Sequence, residues 1–283
     1  MDRPDWLDRE EYPFSPRFLD VGAGRMHYID EGEGRPLVML HGNPSWSFLY
    51  RHLIKGLSRK YRCVAPDLMG FGLSDKPRGR SFRPEEHARH VALLVGKLGL
   101  DDVTFFVHDW GGPVGLSWAV EHPERTRALV IFNTWMWPLK GDSHYERFSA
   151  FMGGPAGRFI ISRDATFRLL MGWMFGQTSS QYLGPLADRR DRQACWVFPR
   201  EIIASTPWLA SLWEKRQAIA SIPALILWGG RDVAFREKEL RRWQDLLEDQ
   251  RTVVMEDAGH FVQEARGAEL CPAVEEFLAG LKA

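Results

Sequence analysis

The segment VHDWGG at positions 107–112 carries the clearest chemical signal, because it joins the apolar run VTFFV to an amphipathic run that begins at Pro113. A turn of this kind, with glycines after its central residue, is typical of a nucleophile elbow, which presents one side chain above a sheet. The central residue is Asp109, and Val107 stands where the ideal elbow has glycine. An aspartate that only caps the following helix is the alternative interpretation. The sequence favours Asp109 as a nucleophile.

A carboxylate in this position predicts the kind of carbon that is attacked. Its ordinary pKa of about 3.9 leaves it ionised at neutral pH, so it needs no base before it attacks. It can usefully attack a saturated carbon that bears a leaving group, which forms an alkyl ester on the enzyme. Attack on an ester or amide would form an anhydride, and the free energy of that reaction is unfavourable. Serine esterase, lipase and peptidase activities are therefore disfavoured.

Hydrolysis of such an ester needs a base that activates water, and His260 is the candidate. It lies in DAGHF after the last apolar strand, and the chain order Asp109, Asp232, His260 is nucleophile, acid, base. Asp232 follows the apolar run ALILWGG and would hold the imidazole in one tautomer and stabilise its cation. A solvated loop histidine and a helix-capping aspartate are the alternatives. The segment NTW at 133–135, after the preceding strand, offers no carboxylate.

Two further residues can supply hydrogen-bond donors to this site, namely Asn43 in the segment HGNP and Trp110. Their backbone N–H groups would form an oxyanion hole for the ester's tetrahedral intermediate, each donor lowering the barrier by about 3 kcal/mol. Their side chains, an amide and an indole, could bind a leaving anion. Halide is weakly basic and needs donors rather than a proton, whereas an alkoxide would need an acid. Core packing is the alternative role for Trp110.

The elements that must position these residues alternate between strands and helices. A hairpin-like pair is predicted within 17–32, and further strands at 36–42, 61–67, 103–107, 128–133, 224–230 and 252–257. Continuous apolar strands separated by helices indicate an α/β fold with a mostly parallel, doubly wound sheet. The alternation stops between Pro138 and Ile222, where aromatic-rich helical stretches follow. We therefore predict a core domain of residues 1–137 and 223–283 and a helical cap domain of residues 138–222 over the sheet's carboxyl edge.

Essentially the whole chain resembles the haloalkane dehalogenases of the α/β-hydrolase fold. The similarity lies in HGNPSWSFLYR, PDLMGFGLSDKP, HDWGGPVGL, WVFP, LWGGRD and GHFVQE. The resemblance implies hydrolysis of haloalkanes to alcohol, halide and a proton, without a cofactor. It implies these roles: Asp109 as nucleophile, His260 as base, Asp232 as acid, and Asn43 with Trp110 as the halide-binding pair. Asn43 combined with an acid after ALILWGG resembles the third subfamily of these enzymes.

Other activities share parts of this pattern. HDWGG also occurs in epoxide hydrolases of the same fold, which need acidic hydroxyls from the cap. Tyr145 and Tyr182 are the candidates, and we hypothesise that they are packing or surface residues. Fluoroacetate-type dehalogenation would need cations for a substrate carboxylate, and a luciferase-like oxygenase is a remote alternative. The intact set Asp109, Asp232 and His260 argues against a catalytically inactive receptor.

Aromatic residues in the predicted cap and near the base suggest walls for the substrate pocket. The chain has 12 Trp and 17 Phe, and most of them are expected in the core. The candidate pocket residues are Phe148, Phe167 and Phe261.

The composition limits the partners and the compartment. The 283 residues include 37 Lys+Arg and 37 Asp+Glu, so no net charge favours nucleic acid or a membrane surface as a partner. No signal peptide, membrane span or metal-ligand spacing is recognisable, and the three cysteines cannot all pair. We expect a cytoplasmic enzyme whose partners are a small haloalkane and a halide ion. The preferred haloalkane and the oligomeric state are left open.

Overall fold

A computed structural model describes residues 4–281, and its centre is a sheet of eight strands within that range. The order across the sheet is β1-β2-β4-β3-β5-β6-β7-β8. The first two strands pair antiparallel, β2 also runs antiparallel to β4, and the other neighbours are parallel. The strands are β1 (Arg17–Asp20), β2 (Arg25–Glu31), β3 (Pro36–Leu40), β4 (Arg62–Pro66), β5 (Val103–Asp109), β6 (Thr126–Thr134), β7 (Ala224–Gly229) and β8 (Gln250–Met255).

From β3 onward, helices alternate with the strands along the chain. None of the helices in the described part of the chain combines the length and apolar character needed to cross a membrane. Their bounds are α1 (Arg51–Leu57), α2 (Pro84–Lys97), α3 (Gly111–Glu121), α4 (Ser143–Met152), α5 (Pro155–Ser162), α6 (Asp164–Phe175), α7 (Ser179–Leu183), α8 (Gln193–Ala204), α9 (Thr206–Glu214), α10 (Glu237–Leu246), α11 (Val262–Arg266) and α12 (Cys271–Gly280).

The central strands explain why the sheet is buried on both faces. Every residue of β7 is buried, and in β5 only Asp109 at the carboxyl end is partly accessible. Strands with continuous apolar residues cannot leave either face in water, so helices must pack on both sides. The mostly parallel α/β sheet predicted from the sequence is confirmed. Because β3, β5, β6 and β7 are parallel, the residues that follow them meet at one edge.

The helices α4 to α9 lie between β6 and β7 in the chain and pack against one another. The indole of Trp196 in α8 donates to the carbonyl of Gly154 at 3.1 Å, and the hydroxyl of Ser149 in α4 donates to the carbonyl of Arg200 at 3.2 Å. A Cβ atom on Gly153 would lie 2.5 Å from the Cα atom of Arg200, so α4 and α8 approach closely. The division into core and cap domains at residues 137/138 and 222/223 stays a prediction.

Two helical segments are irregular. A 3₁₀ turn over Ser47–Tyr50 precedes α1, which starts at Arg51. The helical segment at the end of the chain is interrupted at Gly267. The φ angle of Gly267 is +49°, which breaks the α-helical hydrogen-bond pattern and separates α11 from α12.

Candidate active site

The turn after β5 holds Asp109 in a strained conformation. Its φ angle is +49°, in the left-handed region that costs a non-glycine residue on the order of 1–3 kcal/mol. A Cβ atom on Gly111 would lie 2.1 Å from the carbonyl oxygen of Leu40, so glycine is needed where α3 passes β3. Trp110 is the N-cap residue of α3, and no side chain of the described residues caps this helix. The capping alternative for Asp109 is therefore wrong, and its carboxylate lines the cavity above the sheet.

The loop after β3 approaches the Asp109 carboxylate directly. The backbone N–H of Asn43 donates to its Oδ1 at 2.7 Å. A Cβ atom on Gly42 would lie 2.2 Å from the same oxygen, so this approach requires glycine. On the other side, the hydroxyl of Thr134 donates to the backbone carbonyl of Asp109 at 2.5 Å and ties the elbow to β6. One backbone donor proposed for the oxyanion hole thus points at the carboxylate itself.

The imidazole of His260 lies between two carboxylates. Its Nδ1 is 2.8 Å from Oδ2 of Asp232, and its Nε2 is 3.7 Å from Oδ2 of Asp109. An ionised carboxylate can only accept a hydrogen bond, so Nδ1 carries the hydrogen in this pair. Nε2 is then left with its lone pair on the side of Asp109. The structure therefore brings together all three residues that the sequence nominated for the catalytic set.

Burial and charge act in opposite directions on the pKa values of this set. Burial by itself would lower the pKa of His260, but the charges of Asp232 and Asp109 and the hydrogen bond to Asp232 raise it above 6.5. Burial raises the pKa of Asp109, while His260 and the backbone N–H groups of Asn43 and Trp110 oppose that rise. Among residues 4–281, no three His, Cys, Asp or Glu side chains are grouped so that they could hold a metal ion.

Asn133 supports the acid, and sequence reasoning assigned it no role. Its Nδ2 donates to Oδ2 of Asp232 at 2.8 Å, and its Oδ1 accepts the backbone N–H of Gly229 at 2.8 Å. Oδ1 of Asp232 accepts the backbone N–H of Ala234 at 2.7 Å, so this aspartate also stabilises its own turn. It does not cap α10, whose N-cap residue is Arg236. One feature of the sequence could have indicated this contact. Asn133 and Asp232 stand at the ends of two strands that are parallel neighbours, β6 and β7, so their side chains are expected at the same edge of the sheet.

The proposed halide donors both line the cavity. The Trp110 side chain is almost fully buried and contacts the ring of Trp135 edge-on at a centroid distance of 4.6 Å. Trp110 therefore also packs in the core, the alternative role that the sequence suggested. Nδ2 of Asn43 lies 3.5 Å from the carbonyl oxygen of Cys195, a long contact. Since an amide nitrogen carries two hydrogens, one remains for an anion.

A cavity of about 1190 Å³ lies above Asp109 and His260, and its lining is mostly apolar. The three predicted pocket residues all line it. Phe167 is buried, Phe261 contacts the imidazole of His260 at a centroid distance of 4.7 Å, and Phe148 is 45% exposed. Further lining residues that the sequence did not single out are Met152, Ile161, Leu170, Trp173, Met174, Phe175 and Phe235.

The two tyrosines considered for epoxide activation are both buried with their hydroxyls engaged. Tyr145 lines the cavity, but its hydroxyl donates to the carbonyl of Ala234 at 2.9 Å. The hydroxyl of Tyr182 donates to Glu264 at 2.6 Å. In this arrangement neither hydroxyl hydrogen is directed at a ring oxygen near Asp109, and both side chains act in packing.

Comparison with protein families assigns this arrangement to a class. A family described as alpha/beta hydrolase fold matches residues 35–266, which include the elbow, the acid and the base. The eight-stranded sheet, the strained Asp109 and the Asp232–His260 pair are features of that class. The fold and the site therefore define an alpha/beta hydrolase.

Similar proteins narrow the assignment. Haloalkane dehalogenase 2 of Mycobacterium tuberculosis (strain ATCC 25618 / H37Rv) is 38% identical over 277 residues, which cover 95% of this chain and 96% of the relative. The crystal structure of haloalkane dehalogenase DatA from Agrobacterium tumefaciens C58 matches with a TM-score of 0.83 at 25% identity, covering 95% of this chain and 97% of that one. The chain belongs to the haloalkane dehalogenase family, which confirms the resemblance inferred from its motifs.

A relative that is named for a different activity is also similar along most of its length. The cis-3-alkyl-4-alkyloxetan-2-one decarboxylase of Xanthomonas campestris pv. campestris is 34% identical over 300 residues, which cover 94% of this chain and 97% of the relative. A second protein of that name, from Shewanella oneidensis, is 29% identical over 296 residues. This scaffold therefore supports more than one reaction among the chain's relatives.

Proposed function

We propose that the protein hydrolyses the carbon–halogen bond of haloalkanes and releases an alcohol, a halide ion and a proton. The observation that carries the proposal is the carboxylate of Asp109, held at the elbow 3.7 Å from Nε2 of His260. The apolar cavity above these residues suits an uncharged alkyl chain. The identity to named haloalkane dehalogenases supports the same reaction.

In the first step, a carboxylate oxygen of Asp109 attacks the carbon from the side opposite the halogen. The new C–O bond forms as the C–halogen bond breaks, and the halide leaves with the bonding electron pair. Because the N–H of Asn43 already occupies Oδ1, we assign the attack to Oδ2. The side-chain N–H groups of Trp110 and Asn43 stabilise the leaving halide by hydrogen bonds, which strengthen as negative charge develops.

In the second step, neutral His260 takes a proton from water at Nε2, and the hydroxide adds to the ester carbon of Asp109. The oxyanion forms on the oxygen that accepts the N–H of Asn43, so this donor stabilises the tetrahedral intermediate. Collapse expels the alkoxide, which takes the proton held by the His260 imidazolium and leaves as the alcohol. The carboxylic acid of Asp109 then loses its proton, so one proton is released overall. The bond between Nδ1 of His260 and Asp232 stabilises the imidazolium formed on the way.

We also propose the organisation around this chemistry. Residues 138–222 form the cap that keeps bulk water from the alkyl ester, and residues 1–137 with 223–283 form the catalytic core. The pairing of Asn43 with an acid after β7 supports membership of the third subfamily. The three cysteines are free thiols, which supports a reducing, cytoplasmic location.

Product analysis tests this function. Purified protein is incubated with short bromo- and chloroalkanes, and in parallel with styrene oxide. We expect halide and alcohol in equal amounts from the haloalkanes and no diol from the epoxide. Diol formation without halide release would contradict the proposal and favour epoxide hydrolysis.

Replacement of Trp110 by phenylalanine should weaken halide binding. The ring is kept, but the indole N–H is lost, and a hydrogen bond to a charged group contributes about 1.5–3 kcal/mol. The dissociation constant for bromide should therefore rise about 10-fold to 100-fold. Quenching of intrinsic fluorescence by added bromide or iodide measures it. The same change at buried Trp243, whose indole donates to the carbonyl of Thr134, is the control and should leave halide affinity unchanged.

The raised pKa of His260 predicts how turnover depends on pH. The base must be neutral to accept a proton from water, so ester hydrolysis should slow as the pH falls through a value above 6.5. The alkylation step does not need neutral His260, so the first equivalent of halide should still appear at that pH. Rapid-quench halide measurements across the pH range separate the steps. Equal loss of both steps would contradict the assigned role.

Decarboxylation of an oxetan-2-one is a second candidate function, favoured by the similarity to a decarboxylase over 94% of the chain. The ring carbon C4 is saturated and bears a carboxylate as its leaving group. Attack by Asp109 would open the C4–O bond, and loss of CO₂ from C3 would then form the C3=C4 double bond and expel Asp109. The sum is oxetanone to alkene and CO₂, with no water consumed.

The two functions differ in their need for His260. With a cis-3,4-dialkyloxetan-2-one, we expect alkene and CO₂ from the wild type and from a His260→Phe variant, but not from Asp109→Asn. Absence of alkene from the wild type would exclude this candidate, while the haloalkane assay with the same preparation shows whether the protein is active.

A further inference from the structure

His108 immediately precedes the nucleophile in β5 and is fully buried. Its Nε2 lies 2.9 Å from the backbone carbonyl oxygen of His260. A carbonyl oxygen can only accept, so the hydrogen must be on Nε2 of His108. The two imidazole rings also pack against each other at a centroid distance of 4.5 Å. The residue next to the nucleophile therefore contacts both the backbone and the side chain of the base.

The protonation state of His108 is fixed by its surroundings. Burial lowers its pKa well below 6.5, and the neighbouring His260 lowers it further. Its Nδ1 is buried and has no hydrogen-bond partner among the described residues. His108 is therefore neutral with its one hydrogen on Nε2, and it is a permanent donor to the carbonyl of His260.

Two contacts hold the base besides its bond to His108. The side chain of His260 is held by Asp232 through Nδ1. A Cβ atom on Gly229 of β7 would lie 2.1 Å from the carbonyl oxygen of Gly259, so the backbone just before His260 packs on β7. The bond from His108 adds a hydrogen bond between the backbone carbonyl of His260 and the strand of the nucleophile.

We propose that His108 is a positioning residue for ester hydrolysis: its Nε2–H bond to the carbonyl of His260 fixes the base at the separation from Asp109 at which it can activate water. This inference rests on the proposed two-step function. It assigns His108 no contact with substrate. Because a displacement of about 1 Å can cost on the order of 100-fold in rate, loss of one backbone anchor should affect the hydrolytic step selectively.

Three variants of His108 separate hydrogen bonding from packing. In His108→Gln the amide nitrogen reaches the place of Nε2 and keeps a donor, whereas in His108→Asn it reaches only the place of Nδ1. His108→Phe keeps the ring without any donor. His122→Phe is the matched control, since His122 is a half-exposed residue at the end of α3 that packs on Trp118.

The readout is pre-steady-state kinetics with a bromoalkane, combined with intact-protein mass spectrometry and a pH profile. We expect the Asn and Phe variants to alkylate within about 3-fold of the wild-type rate, but to hydrolyse the ester about 10-fold to 100-fold more slowly, so that the alkyl adduct accumulates. The Gln variant and His122→Phe should hydrolyse within about 3-fold of wild type. The acid limb of the pH profile should move in the Asn and Phe variants only.

Other results would overturn the inference. Equal hydrolysis rates in the Gln and Asn variants would show that the donor at Nε2 is irrelevant. The comparison of these two variants tests the inference even if the Phe variant fails to fold. Parallel loss of alkylation and hydrolysis, without adduct, would show a merely structural role. Failure of the proposed function itself would look different, because the wild type would then release no first equivalent of halide.

Discussion

Replacing Asp109 by asparagine should lower steady-state dehalogenation by about 10⁴-fold or more, because the variant keeps the size of the side chain but loses the negative charge that attacks carbon. An amide oxygen is a weak nucleophile, and no neighbouring base can make it a strong one. Ion chromatography of released halide measures the loss. Mass spectrometry after incubation with a bromoalkane should show no alkyl adduct, since the first bond is never formed.

Two controls make this result specific. Asp245→Asn removes an exposed carboxylate of α10 outside the cavity and should leave turnover unchanged. In Asp109→Asn, the new side-chain amide could be hydrolysed back to aspartate by water activated at His260, so activity that grows during storage should appear together with the mass change of that conversion. Stable activity without that mass change would contradict the nucleophilic role of Asp109.

The sequence predicts the sheet and the elbow well because both depend on local patterns. The continuous apolar runs at β5 and β7 can only be strands covered on both faces, and this places the residues after them at one edge. Aspartate followed by Trp-Gly-Gly then indicates a sharp turn, and the structure shows the positive φ angle at Asp109. The placement of Asp232 and His260 follows from the same argument.

The supporting contacts could not be predicted, because they depend on how neighbouring strands align. Asn133 is at the end of β6, and its amide reaches Asp232 only because β6 and β7 pair in a particular register. His108 reaches the carbonyl of His260 across β6 and β7, between residues 152 positions apart in the chain. Apolar and polar periodicity does not specify such distances.

The helices between β6 and β7 were also predicted only in outline. The aromatic stretches at 138–222 indicated helices, but the cavity uses particular faces of α4, α5, α6 and α8 that no local pattern identifies. Phe167 points inward and is buried, whereas Leu169 on the same helix is 75% exposed. Which face of a short amphipathic helix lines the cavity is decided by the packing of all the helices between β6 and β7.

Replacing His260 by phenylalanine should stop the reaction at the covalent ester, which is the sharpest consequence of the two-step scheme. Alkylation does not require His260, so one equivalent of halide per active site should appear at a rate within about 10-fold of wild type. Steady-state release should then fall on the order of 10⁴-fold, because no base activates water. A mass increase equal to the alkyl group should persist on the protein.

The phenyl ring suits this test because His260 already packs between the rings of Phe235 and Phe261. His260→Gln is the second variant, since it keeps polarity near Asp232 and is also unable to act as a base. If both variants release no first equivalent of halide and carry no adduct, while their thermal stability matches wild type, then Asp109 does not form an alkyl ester. A trapped ester on a peptide that contains Asp109 would instead support both steps of the scheme. The carboxylate at the strained turn forms the ester, and water activated by His260 is needed only afterwards.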